Sequence, residues 1–144
     1  MLSKLTLAFT LAVMGVISCQ ADPQGSGVCV HNGGGYSMRF QLQLQNDDGS
    51  WSILEGWTGY YPAGQTKCVD LKNTSLSLGS DELREALEEL SDGRIIRIEQ
   101  DIFWGATNYI KPYITYNSSL EKTKFYCSGT TYHSKCKCKK NCDF

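Results

Sequence analysis

Tyr36 to Gln45, YSMRFQLQLQ, alternates side-chain type at each step: Tyr36, Met38, Phe40, Leu42 and Leu44 on one side, Ser37, Arg39, Gln41, Gln43 and Gln45 on the other. A period of two is that of a β-strand with one face buried and one face in water. Asn46-Asp47-Asp48-Gly49 follows as a hairpin turn, and Trp51, Ile53 and Trp57 mark the returning strand.

The same pattern recurs downstream. Tyr60-Tyr61-Pro62-Ala63-Gly64 turns the chain, and Cys68, Val69 and Leu71 form a short strand. Leu76 and Leu78 add an apolar pair. The period then changes. Leu83, Leu87 and Leu90 are spaced as one stripe of a helix that starts at Gly79 or Ser80, has Asp81 and Glu82 in its first turn, and ends at Asp92-Gly93. Glu85, Glu88 and Glu89 form its solvated side. Arg94 to Gln100 returns to strand character, with Ile96, Ile98 and Ile102 facing one way. Tyr109 to Tyr116 is a further strand, broken by Pro112 and so placed at an edge. Lys124 to Cys127 is the last strand. Many strands, frequent turns and one helix predict a mainly β protein: an antiparallel β-sandwich with one short helix and a disulfide-rich C-terminal tail.

The first residues predict export. Leu5 to Ile17 is an apolar run behind Lys4, too short for a membrane-spanning helix and of the length of a signal-peptide core. Cys19 and Ala21 satisfy the small-x-small rule, which places cleavage after Ala21; Val16-Ile17-Ser18-Cys19 also fits a lipoprotein box. The expected organisation is a signal peptide over 1–21, a mobile leader over 22–27, a sandwich over 28–126 and a Cys/Lys-rich tail over 127–144 on the same domain. The product is secreted. Six cysteines then remain, Cys29, Cys68, Cys127, Cys136, Cys138 and Cys142. An even count in an exported chain predicts three disulfides, with 15 connectivities open. Four cysteines lie in the last 16 residues, which predicts a compact C-terminal knot, with a staple back to Cys29 or Cys68 among the open pairings. The Cys136-x-Cys138-x3-Cys142 run has a spacing open to a soft metal, but oxidation is the expected fate of such thiols outside the cell, so no metal is expected. Asn73-Thr74-Ser75 and Asn117-Ser118-Ser119 are glycosylation sequons at Asn73 and Asn117.

Catalytic sets are sparse. His31 and His133 are the two histidines. His31-Asn32-Gly33-Gly34-Gly35 is similar to the oxyanion loops of some esterases, but no Gly-x-Ser-x-Gly elbow accompanies it. Asp47, Asp48 and Glu55 miss the spacing of a calcium loop. No enzyme activity and no cofactor are expected.

Aromatic residues and charge are distributed unevenly. Trp57, Tyr60 and Tyr61 surround a turn, and Phe103 and Trp104 follow a strand. Such rings suit a bilayer interface or a sugar face, or else they plug the ends of the sandwich. Residues 22–119 carry a net charge of −6, whereas residues 120–144, with Lys122, Lys124, Lys135, Lys137, Lys139 and Lys140, carry +4. A cationic tip attracts anionic lipid or an acidic glycan; an exported chain with an acidic body argues against nucleic acid.

Four stretches, in order, resemble one known family. Gly34 to Phe40, Gly56 to Tyr60, Arg94 to Ile98 and Gly129 to Tyr132 are similar to segments of the C-terminal β-sandwich of cholesterol-dependent (thiol-activated) cytolysins. The resemblance implies a stand-alone sandwich that recognises a membrane. In the family a Thr-Leu pair and a Trp-rich loop make the contact. Thr131 occupies the position of that Thr, with Tyr132 in place of Leu. The loop falls near Asp101 to Tyr109, retains Phe103 and Trp104, and lacks the family's cysteine.

The expected function is a secreted binding module. It uses Trp57, Tyr60, Tyr61, Phe103, Trp104, Thr131 and Tyr132, helped by the lysine tip, to engage a membrane lipid or glycan. The alternatives are a toxin or host-defence effector acting on a protein receptor, and a structural matrix or mucus protein.

Overall fold

A computed structural model describes residues 23–72 and 90–142. Nine strands are present among them: β1 (Gln24–Gly25), β2 (Gly27–Asn32), β3 (Met38–Gln45), β4 (Trp51–Glu55), β5 (Thr66–Asp70), β6 (Ile95–Ile102), β7 (Thr107–Tyr116), β8 (Thr123–Thr130) and β9 (His133–Lys140). They form a five-stranded sheet, β1-β7-β6-β3-β4, and a four-stranded sheet, β5-β2-β8-β9. The expected sandwich is therefore correct. The helix expected from Gly79 or Ser80, up to residue 89, the Leu76/Leu78 pair and the Asn73 sequon lie outside the described residues, and Asp92-Gly93 is a turn.

β3 fulfils its alternation. Met38, Phe40, Leu42 and Leu44 are fully buried. β6 pairs with β3 from Met38↔Ile102 to Leu44↔Ile96 and adds Ile96, Ile98 and Ile102 to the same layer. Val28, Val30, Phe125 and Cys127 supply the opposing layer. Among the described residues, twelve large side chains are fully buried. At about 2 kcal/mol each, that burial outweighs three disulfides at roughly 2–4 kcal/mol each. The bridges reinforce a core that the apolar alternation already builds.

A buried amide and a polar link organise the inside of this core, while Thr123 Oγ1 is buried without a hydrogen-bond partner. Asn32 donates from Nδ2 to the carbonyls of Tyr36 (2.6 Å) and Tyr61 (3.1 Å) and accepts at Oδ1 from the Gly34 amide (3.1 Å). The glycine run from Gly33 to Gly35 is thus a structural turn fixed by a buried amide. Ser134 Oγ lies 2.7 Å from Tyr36 Oη and 3.3 Å from Gln100 Oε1, a polar link between the two sheets.

Several expectations change. The sheets are mixed, because β1 runs parallel to β7 and β2 runs parallel to β8. The segment expected as a mobile leader is strand: Gln24 and Gly25 pair with Thr115 and Tyr116, and the Ser26 amide donates to the Glu121 carbonyl. Its backbone completes both sheets, a role that side-chain composition does not encode. In β4, Leu54 is the buried residue while Ile53 is exposed, because the β3–β4 register shifts between Leu42 and Gln43. Pro112 does not end its strand; β7 continues past it through a register shift opposite Ile96 to Ile98.

The C-terminal residues form a strand hairpin, not a knot. β9 pairs with β8 from Thr130↔His133 to Lys124↔Lys140. The bridges are Cys29–Cys68 between β2 and β5, Cys127–Cys136 across the β8–β9 hairpin, and Cys138–Cys142 at its end. No tail cysteine staples back to Cys29 or Cys68.

Candidate functional site

Four loops meet at one end of the sandwich. The β6–β7 turn is closed by the Gly105 amide donating to Ile102 O (2.9 Å) and is tied to the β2–β3 loop by the Phe103 amide donating to Ser37 O (2.9 Å). The Ala106 amide donates to Thr131 O (3.3 Å), which joins the β8–β9 turn to it. A Cβ at Gly105 would collide with Thr131, so the close approach of these two turns requires glycine there. The Tyr61 amide donates to Met38 O (2.8 Å) and anchors the β4–β5 loop beside them.

Most of the expected aromatic residues converge on this end. Trp104, held with φ 56°, is 84% exposed, and Tyr132 is 72% exposed. Phe103 stacks on Trp104 with ring centres 5.3 Å apart, and Tyr60 meets Phe103 edge to face at 5.3 Å. Thr131 is half-buried under this cluster. Tyr61 is the exception. It is 1% exposed, packs edge to face on Phe40 and donates its hydroxyl to Val30 O (2.9 Å). Burial pushes its phenol far above the ordinary value. It plugs the end of the core and presents nothing to a ligand.

A charged pair braces the aromatic cluster. The Arg39 guanidinium lies 4.6 Å from the Trp57 ring centre and 4.7 Å from that of Tyr60. Its Nε donates to Asp101 Oδ2 (2.7 Å), which also accepts from Tyr60 Oη (2.6 Å), while Thr107 Oγ1 donates to Asp101 Oδ1 (3.1 Å). Burial alone raises the Asp101 pKa, but the hydrogen bonds from Tyr60, Arg39 and Thr107 outweigh it and hold the carboxyl below its ordinary value. The arrangement repeats further along the sheet: Arg97 lies 4.1 Å from the Trp51 ring centre and 3.9 Å from that of Tyr109. Sequence reasoning placed Arg39 on the wet face of β3 but missed its role. The usable sign was cationic residues on outward-facing strand positions, Arg39 and Arg97, near turn aromatics in a sheet.

The lysines are not at this end. Ser134, Cys136 and Cys138 of β9 face inward, while Lys135, Lys137 and Lys139 face outward and run along the strand away from Tyr132. The expected cationic tip is therefore a flank, because hairpin pairing with β8 straightens the tail into a strand. Asn117 sits in the turn after β7, with its Nδ2 donating to Gln24 Oε1 (3.0 Å).

The fold and this end define a two-sheet module that exposes aromatic loops. No family model and no curated protein matches the chain. Among solved structures it is similar to the membrane-binding domain of pneumolysin, with 12% identity, 79% of this chain and 95% of that one covered, and a TM-score of 0.40. It is also similar to the human-specific toxin intermedilysin (12% identity, 79% and 23% covered, TM-score 0.39) and to a Gram-negative toxin (14% identity, 82% and 23% covered, TM-score 0.41). The chain spans about a quarter of the length of these whole toxins.

Proposed function

We propose that this protein is a secreted, non-enzymatic binding module that docks on a membrane surface through its aromatic end. The observation that carries the reading is Trp104, which projects from a hydrogen-bonded turn, backed by Phe103, Tyr60 and Tyr132. Indole and phenol rings gain most at the boundary between headgroups and acyl chains. Three disulfides fit an oxidising compartment and so the export reading of residues 1–21.

Flotation with zwitterionic phosphatidylcholine vesicles, with and without sterol, tests this reading. The protein should float with the vesicles, and Trp104→Ala should weaken partitioning by roughly 2 kcal/mol, about thirtyfold. Absence of wild-type binding, or equal binding by Trp104→Ala, would overturn it. Binding on a glycan array that depends on Trp104 without any vesicle binding would move the site to the glycan reading. A protein receptor is the third possibility: intermedilysin has been seen with human CD59. Cell binding that is lost on protease treatment of the cells and absent from vesicles would assign it.

A further inference from the structure

We propose that the outer face of the β5-β2-β8-β9 sheet binds a linear acidic polysaccharide, laid along β9. Lys135, Lys137 and Lys139 alternate with inward residues, so their side chains repeat at roughly 6.8 Å along one edge strand. Beside them on β8, Lys124 and Tyr126 are exposed on the same face. Among the described residues, Lys124, Lys135, Lys137 and Lys139 form no ion pair, whereas Lys122 pairs with Asp70 and Lys140 with Glu121. Lys135, Lys137 and Lys139 sit together on an otherwise acidic body, with Lys124 beside them near Glu121, and that concentrates positive potential on one flank.

The flank also has a seat for a sugar ring. A groove of about 230 Å³ is lined by the Cys29–Cys68 bridge, His31, Thr66, Tyr126, Lys124 and Lys139. Tyr126 stacks on His31 with ring centres 5.0 Å apart, and His31 Nδ1 is 2.8 Å from Thr66 Oγ1. Lys139 Nζ lies 5.9 Å from the Tyr126 ring centre. The stacked Tyr126 and His31 rings, with Lys124 and Lys139 beside them, line the groove with apolar ring edges, a phenol and two ammonium groups, which match a sugar that carries sulfate or carboxylate at its rim.

Geometry favours this partner over an anionic bilayer. β9 begins at His133, next to the aromatic end, and runs to Lys140. Lys139 is therefore roughly 20 Å along the strand from the level of the tip. A bilayer touching Trp104 would lie more than one screening length, about 8 Å, from Lys137 and Lys139. A chain lying along the strand meets every one of these lysines.

Heparin chromatography at neutral pH is the test, run on the full exported protein. The wild type should be retained at about 0.15 M salt. Lys135→Gln/Lys137→Gln/Lys139→Gln, at solvent-exposed positions, should bind heparin more than about tenfold more weakly and with a shallower salt dependence. Tyr126→Ser should also elute earlier from heparin while its elution from a sulfopropyl resin is unchanged, because its charge is unchanged. Trp104→Ala should elute with the wild type, which separates this face from the membrane reading. Wild-type flow-through at 0.15 M salt, or coelution of the triple variant with the wild type, would overturn the proposal. So would loss of binding to phosphatidylserine vesicles by the triple variant in parallel with its loss of heparin binding, or displacement of heparin by an equal charge of duplex DNA.

Discussion

The phenol of Tyr60 donates a 2.6 Å hydrogen bond to Asp101, and this bond ties the β4–β5 loop to the end of β6. The same carboxylate oxygen accepts from Arg39, whose guanidinium also lies against the rings of Trp57 and Tyr60. One carboxylate thus sets the orientation of two aromatic side chains and of the cation between them.

The first prediction concerns pH. Asp101 titrates below its ordinary 3.8, so its contribution to stability is complete above that value and is lost as pH falls through the lowered one. Urea midpoints should be flat with respect to Asp101 from pH 7 to 5 and should fall below pH 4. Asp101→Asn should cost about 1 kcal/mol at pH 7 and remove part of the acid-side slope. An acid slope identical to that of the wild type would show that the Tyr60–Asp101–Arg39 contact is not the titrating element.

Tyr60 and Tyr61 make a second, sharper case. They are neighbours in one turn, yet Tyr60 is exposed and Tyr61 is sealed inside. Tyr61→Phe should destabilise the fold by roughly 1–2 kcal/mol, since the hydrogen bond to the buried Val30 carbonyl is lost, and should leave vesicle partitioning unchanged. Tyr60→Phe should cost less than Tyr61→Phe in denaturant titrations, because the bond it loses to Asp101 is solvent-exposed, and should loosen Trp57 and Phe103, seen as altered tryptophan fluorescence.

The contrast between these residues shows what the sequence could reveal. Period-two alternation in Met38 to Leu44 and in Ile96 to Ile102 placed two central strands, because side-chain burial in a strand depends only on local spacing. Turn aromatics were found for the same reason. Tyr61 was placed outside because a turn leaves its neighbours free to point either way. Pairing across long separations was not legible: the parallel β2–β8 ladder joins residues nearly a hundred positions apart, and nothing local encodes it. The lysine flank was missed because the alternation of Lys with Ser134, Cys136 and Cys138 is itself a strand signature, obscured by the cysteine count.

A third prediction follows from the bridges. Cys29–Cys68 closes a separation of 39 residues and Cys138–Cys142 one of 4. Loop-closure entropy in the unfolded chain then makes the first worth about 4 kcal/mol and the second about 2 kcal/mol. Cys29→Ser/Cys68→Ser should lower the thermal midpoint clearly more than Cys138→Ser/Cys142→Ser. The reverse order in calorimetry would mean that the tail bridge fixes more than its own short loop.

The last prediction isolates the β8–β9 hairpin, which presents Thr131 and Tyr132. Gly129 has φ +101°, a conformation that side chains rarely adopt, and a Cβ there would strike the carbonyl oxygen of His133. Its own carbonyl accepts from the Gly35 amide (3.1 Å), so the strain would pass to the β2–β3 loop. Gly129→Ala should therefore cost roughly 2 kcal/mol or more. The Cys127–Cys136 bridge sits inside the hairpin and limits how far it can open. The variant should thus remain folded in denaturant titrations while hydrogen exchange accelerates at Gly35, Ala106 and His133. Unchanged exchange at Ala106 would show that the two tip turns hold their shape independently, and Tyr132 could then be altered without disturbing Trp104.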